Sequence, residues 1–375
     1  MIILDVPSLS FNSHPSLFSL MSLIHNLHTL FLLSFINALP SKPILVQMFI
    51  RHAERAPMNV FTSESSSKFF HRGLGEISDI GIHRATEMGR SFRRRYRLIG
   101  LLNDNTTSDE IFIRSSPLTR TLVSAASFSN SFLGKSFNSS LPIIHTSQSE
   151  LDEQVLYIME SPLFRCKVLA NHNISDPMCR MSLLRENIIS SFPLCSNFTY
   201  DAIEAALAEL EQPRLKIYND DLRKCAKRHG KRISYKWLSA IPGVGSEFDL
   251  SRAKESIGPL MAIIHRNIER AVNNTSKEYF RIYYTHDQVL LALSQALGII
   301  SEFNGNSPDF SSSITLEVWR SERDAVTIKI IIKNGIINRF KDVLKLSKTD
   351  FHRQISPFVE NDEEKIQWDE SLTEV

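Results

Sequence analysis

Hydrophobic positions along this chain fall into short dense runs separated by stretches of helical periodicity. Residues 44–50, Ile-Leu-Val-Gln-Met-Phe-Ile, form a compact apolar run behind Pro43. Its length and branched composition predict a buried strand. Residues 111–113 and 279–284 repeat the pattern and predict two more strands. After the first run, Ser78 or Asp79 caps a segment in which Gly81, Ala85, Met88, Phe92 and Tyr96 recur at helical spacing. After the second, Pro117 suits a first helical turn, with Leu118, Leu122, Ala125 and Phe128 on the apolar side. A third helix is predicted over 252–273 through Ile257, Leu260, Ile264, Ile268 and Ala271, and a fourth over 288–297, closed by Gly298. Residues 314–319 and 326–332 read as a hairpin at the edge of the sheet.

Strand alternating with helix predicts an α/β fold with a mainly parallel central sheet and helices on both faces. The alternation breaks at about Ser129 and resumes near residue 252, and the helical period over 200–210, through Ile203, Ala206, Leu207 and Leu210, marks the interval as helical. The expected organisation is a core over 42–130 and 252–345, a smaller, mostly helical cap inserted at 131–251, and a polar tail over 346–375. Residues 58–72 form a Ser-rich loop with the aromatic pair Phe69-Phe70, placed to shape a binding mouth. Arg93, Arg94, Arg95 and Arg97 crowd the end of the first helix and read as a solvated face that complements its dipole.

The first three predicted strands end on polar chemistry. The first delivers Arg51-His52-Ala53-Glu54-Arg55-Ala56-Pro57, the second Arg114-Ser115-Ser116 and the third Thr285-His286-Asp287. In open α/β sheets ligands bind outside the carboxyl ends of the strands. Arg51, His52, Arg55, Arg114, His286 and Asp287 therefore converge on one edge. Three guanidiniums, two imidazoles and a single carboxylate describe a pocket for a dianion that receives a proton, as a phosphate monoester does. Neighbouring cations disfavour imidazolium, so His52 stays neutral and nucleophilic in mild acid. Asp287 supplies the proton for the leaving alkoxide.

The same segments resemble the histidine acid phosphatases. Residues 51–57 are similar to that family's Arg-His-Gly-x-Arg-x-Pro signature, 285–287 to its later His-Asp pair, and Arg114-Ser115-Ser116 through Arg120-Thr121-Leu122 to its Arg-Ser-Thr segment. Pro142-Ile143-Ile144-His145-Thr146 and residues 313–319 extend the likeness over most of 43–335. His-Asp at the later site points to the prostatic and lysosomal branch rather than to phytases. The resemblance implies His52 as nucleophile, Arg51, Arg55, Arg114 and His286 as phosphate ligands and Asp287 as proton donor. It further implies the histidine phosphatase fold with a cap domain, no metal or other cofactor, and a possible homodimer. Alanine stands at 53 where the family has glycine. That departure raises a second reading, a catalytically weakened glycoprotein of the same fold that binds phosphorylated ligands or partner proteins.

Composition adds compartment. The net charge of +2 over 375 residues gives no case for nucleic acid or an acidic membrane surface. An apolar window around residues 30–36, followed by a small residue and a turn, predicts a signal peptide over 1–38, for which Met21 would be the tidier start. Asn-x-Ser/Thr sites at Asn105, Asn138, Asn173, Asn197, Asn273 and Asn274 fit a secreted or lysosomal lumenal glycoprotein without a stable membrane anchor. Cys166, Cys179, Cys195 and Cys225 lack metal-ligand spacing and allow up to two disulfides, with the pairing open.

Overall fold

The computed structural model describes residues 41–134, 143–146, 156, 185–240, 242–335 and 339–359. The expected signal peptide, Asn138, Asn173, Cys166 and Cys179 lie outside them. Seven strands form one sheet: β1 (Ser41–Arg51), β2 (Ile111–Ser115), β3 (Ile144–His145), β4 (Phe280–Thr285), β5 (Ser313–Ser321), β6 (Val326–Lys333) and β7 (Lys341–Ser347). They lie in the order β3-β2-β4-β1-β5-β6-β7. The first four are mutually parallel, and β5, β6 and β7 continue the sheet antiparallel from β1.

Around the sheet run α1 (Glu64–Phe69), α2 (Asp79–Leu98), α3 (Thr119–Leu133), α4 (Tyr200–Leu210), α5 (Asp220–Cys225), α6 (Lys231–Ala240), α7 (Leu250–Val272), α8 (Asp287–Ala296) and α9 (Lys348–Ile355). The β1 run is buried on both faces because helices cover both. Val46, Met48 and Ile50 pack with Met88, Phe92 and Phe128 of α2 and α3. Leu45 and Phe49 face the other way, into a cluster with Ile257, Ile264 and Leu290 of α7 and α8. Gln47 shares that second face and is fully buried. It donates to the Ile264 carbonyl at 3.1 Å and accepts from Asn267 at 2.8 Å, so its burial leaves no amide unsatisfied. The second cluster runs on without a break into Ile203, Trp237 and Leu238 of α4 and α6, so those helices and the sheet share apolar core.

Four expectations need correction. The hairpin β5–β6 forms, but β5 pairs with β1 inside the sheet and β7 makes the outer edge. β7 has a mixed, half-exposed pattern with Lys341, Asp342 and Lys345, as suits an edge strand, and its apolar content is too thin to stand out in the sequence. Residues 348–355 form α9 rather than a polar tail, with Phe351 and Ile355 buried. β3 lies within the interval expected to be a cap insertion, and at two residues it is too short for any period to reveal. Finally, Arg93 and Arg95 are not a solvated face. Arg93 donates to the Phe132 carbonyl at 3.0 Å, and Arg95 pairs at 2.9 Å with the buried Glu317, which also accepts from Tyr96. Arg94 and Arg97 are exposed.

Candidate active site

The carboxyl ends of β1, β2 and β4 are stitched together by backbone before any side chain is considered. Arg51 N–H donates to Ser312 O, His52 N–H to Thr285 O, Ser116 N–H to Tyr284 O and Ser311 N–H to His52 O, at 2.8 to 3.2 Å. Main-chain bonds of this kind hold three loops at one edge with little freedom. Above that edge opens a cavity of about 280 Å³ lined at its base by Arg51, His52, Arg55, Arg120, His286 and Asp287.

Each member is oriented by a second contact. His52 donates from Nδ1 to the Ala53 carbonyl at 2.8 Å, because a carbonyl can only accept. That bond leaves Nε2 as the basic nitrogen of the ring. Arg51 donates to the Pro308 carbonyl at 2.6 Å, pairs with Asp287 Oδ2 at 2.6 Å, and lies 4.1 Å over the ring of Phe310. His286 is the N-cap of α8 and its Nε2 meets Ser116 Oγ at 2.9 Å. Asp287 is the first residue of the same helix, where a carboxylate is favoured by the dipole. Burial drives the pKa of His52 well below that of an ordinary imidazole, and Arg120, His286, Arg51 and Arg55 push it the same way. His286 is lowered well below its usual value by burial too, then by Arg120, Arg51 and Arg55. The expected direction for His52 therefore holds, with desolvation ahead of charge as its cause.

Five of the six residues singled out from the sequence meet in the cavity, namely Arg51, His52, Arg55, His286 and Asp287. Arg114 does not line it, and Arg120 does. The reason is alternation along β2. Ile113 enters the α2–α3 core, so Arg114 shares the opposite face with Phe112, opposite Tyr283 of β4 and His145 of β3. The chain then turns through Ser116 and Pro117, and Arg120, the second residue of α3, comes back over the strand ends. The sequence marked Arg120 without choosing it over Arg114, since both sit in the Arg-Ser-Thr-like segment and Arg120 stands at a helix start just beyond the strand end.

Ala53 fits its place. Its side chain packs with Ile77 and Ala85 rather than into the cavity. Its N–H donates to Ser124 Oγ at 3.0 Å, and its φ is not among the positive values found at Asn274, Asn304, Ser311 and Asp324. A methyl group therefore costs this loop neither strain nor room. Glu54 likewise turns from the cavity to pair with Arg84 of α2 at 2.6 Å. Gly81 permits that approach, since a Cβ there would stand 2.1 Å from Glu54 O.

The roof comes from α4. Glu204 of α4 accepts from Arg55 Nη1 at 2.8 Å and from the Met58 N–H at 3.0 Å. Glu209, fully buried, accepts from Thr62 N–H at 2.9 Å and Ser66 Oγ at 2.5 Å. Cys195 and Cys225 are disulfide-bonded, which ties the end of α5 to the turn at Pro193–Cys195. None of these roof contacts was visible in the sequence.

Known proteins are similar to this chain in sequence and in fold. The chain is 27% identical over 338 residues to mouse testicular acid phosphatase, covering 81% of this chain and 76% of that protein. It is 23% identical over 311 residues to human lysosomal acid phosphatase, covering 77% and 70%. The apo form of Hafnia alvei phytase superposes with a TM-score of 0.59 at 14% identity, over 85% of this chain and 97% of that one, a likeness of fold. The model of the histidine phosphatase superfamily, branch 2, matches residues 44–162 and 169–333. With that match spanning all four parallel strands and both histidine loops, the chain belongs to branch 2 of the histidine phosphatase superfamily.

Proposed function

We infer that this protein is an acid phosphatase that hydrolyses phosphate monoesters through a phosphohistidine on His52. The observation that carries the reading is the state of His52. It is buried among Arg51, Arg55 and Arg120, its Nδ1 is committed to the Ala53 carbonyl, and burial followed by those cations lowers its pKa well below that of an ordinary imidazole. Among the described residues the buried Nε atoms of Arg51 and Arg55 find no hydrogen-bond partner, a cost that an anion among the guanidiniums relieves.

In the first step Nε2 of His52 attacks phosphorus, the P–O ester bond breaks, and the proton of the bound monoester monoanion passes by way of the Asp287 carboxyl to the leaving alkoxide. Arg51, Arg55, Arg120 and His286 hold the non-bridging oxygens as charge builds on them. In the second step the Asp287 carboxylate takes a proton from water while the water oxygen attacks phosphorus. The P–N bond breaks, inorganic phosphate leaves, and the His52 lone pair is restored. Asp287 and Arg51 are paired, so the acid and one phosphate ligand are positioned as a unit.

The weakened-binder reading rested on Ala53, and the loop accommodates that alanine. The relatives, named testicular and lysosomal acid phosphatases, favour a working enzyme in the secretory pathway or lysosome. The Cys195–Cys225 disulfide and exposed acceptor asparagines at 105, 197, 273 and 274 support the same compartment. Among the described residues no helix is long and apolar enough to cross a membrane.

Acid-stable tracing is unsuitable for a phosphohistidine, so the test is rapid denaturation in alkali after mixing with labelled aryl phosphate, followed by peptide mapping. Label on the peptide carrying His52 is the expected result. Label elsewhere, or full turnover by His52→Ala, rules the mechanism out.

A further inference from the structure

The cavity has two halves of opposite character. Among the described residues its base carries Arg51, Arg55 and Arg120 against one carboxylate, Asp287. Among the described residues the outer half carries two cations, Arg185 and Lys231, against four carboxylates, Asp201, Glu204, Glu211 and Asp309. Those two cations are already engaged. Arg185 lies 3.6 Å from Asp201 and 4.6 Å over the rings of both Tyr200 and Trp237, and Lys231 is paired with Asp309. Glu204 reaches furthest inward, since its carboxylate is bonded to Arg55 itself. Both of its oxygens are committed, to Arg55 and to the Met58 N–H, so it is fixed rather than free to swing aside.

We propose that Glu204 is a specificity-determining residue, whose carboxylate above Arg55 confines the enzyme to monoesters whose alcohol portion carries no further negative charge. The inference rests on the phosphatase reading and narrows its substrate class. A phosphoryl group seated on the arginines directs its alcohol toward α4, where Glu204, Asp201 and Glu211 await it. A neutral or cationic alcohol meets no penalty there. A second phosphate or a carboxylate meets like charges across a partly desolvated gap, with both outer cations already paired. Specificity of this kind arises from repulsion of the wrong substrate more than from attraction of the right one.

The test compares ethanolamine phosphate, propyl phosphate, phosphoglycolate and 1,3-propanediol bisphosphate in wild-type protein and in Glu204→Gln. Substrates differ in leaving-group chemistry, so the readout is the change in their relative kcat/KM between the two proteins, which cancels that difference. Glu204→Gln keeps size and one acceptor, and is expected to shift the ratio of phosphoglycolate to propyl phosphate upward by about five- to tenfold. The bisphosphate should gain more, and ethanolamine phosphate should lose. Asp201→Asn, which does not touch Arg55, should move the ratios the same way by less. Ratios unchanged within twofold in both variants overturn the proposal, even if absolute rates fall. Absence of turnover with all four substrates in wild-type protein overturns the phosphatase reading and this inference together.

Discussion

The base and the roof of the cavity are built on different principles. The base is a set of loops at parallel strand ends, cross-linked by main-chain hydrogen bonds and buried, and its side chains inherit their positions from the sheet. The roof is a helix, α4, whose carboxylates reach across to loop donors: Glu204 to Arg55 and Met58, Glu209 to Thr62 and Ser66. A base held by backbone is insensitive to most surface changes, and its chemistry fails when a reacting side chain is removed or the loop that carries it is displaced. A roof held by a few side-chain bonds is adjustable, and changes there alter which alcohol fits.

The largest break in that comparison should come from His52→Ala. Its kcat toward an aryl phosphate is expected to fall by about 10³-fold or more with the fold retained, checked by steady-state kinetics and circular dichroism. Next is the pair Arg120→Ala and Arg114→Ala. Removing a cation from the charge-stabilising set should cost about 10²- to 10³-fold in kcat/KM, whereas Arg114→Ala should cost less than about tenfold. The reverse order would return Arg114 to the site and remove Arg120.

Gly81→Ala should act on the base through packing. Its methyl meets Glu54 O, so helix α2 or the signature loop must shift, at about 1–3 kcal/mol by denaturant unfolding and with activity falling in parallel. Glu209→Ala tests the roof. Losing the acceptor of buried donors is expected to cost about 1–3 kcal/mol, seen as faster proteolysis within α4, while kcat on a small aryl phosphate changes little. The smallest effect concerns pH. The folded pKa values of His52 and His286 lie well below the unfolded value near 6.5, so the unfolded chain binds more protons in acid. Their contribution is fully present above about pH 6.5 and is lost as pH falls below it. Denaturation midpoints measured from pH 7 to 5 should fall, and should fall less steeply in His286→Asn.

The strands and helices were legible where burial is two-sided or strictly periodic. β1 and β4 are largely buried on both faces, and α2 and α7 carry an apolar stripe at helical spacing. β7 was hidden because an edge strand buries only part of one face, and α9 because its two buried residues, Phe351 and Ile355, are too few to make a pattern. Among the site residues, Arg51, His52, His286 and Asp287 stand next to the strand that places them, so their convergence follows from sheet topology. Arg120 stands one helical turn further on, and its position depends on how α3 leaves Pro117.

What the amino-acid order determined by itself was local: which segments become strands and helices, and which reactive groups lie at their ends. Those follow from periodicity, capping and the alternation of side chains, all properties of neighbours in the chain. Tertiary structure alone decided that Arg120 rather than Arg114 lines the cavity, that Ala53 packs harmlessly against Ile77 and Ala85, and that Glu204 settles on Arg55 from 149 residues away. Each depends on the relative placement of elements set by packing of the whole core, for which no short window of sequence holds the information.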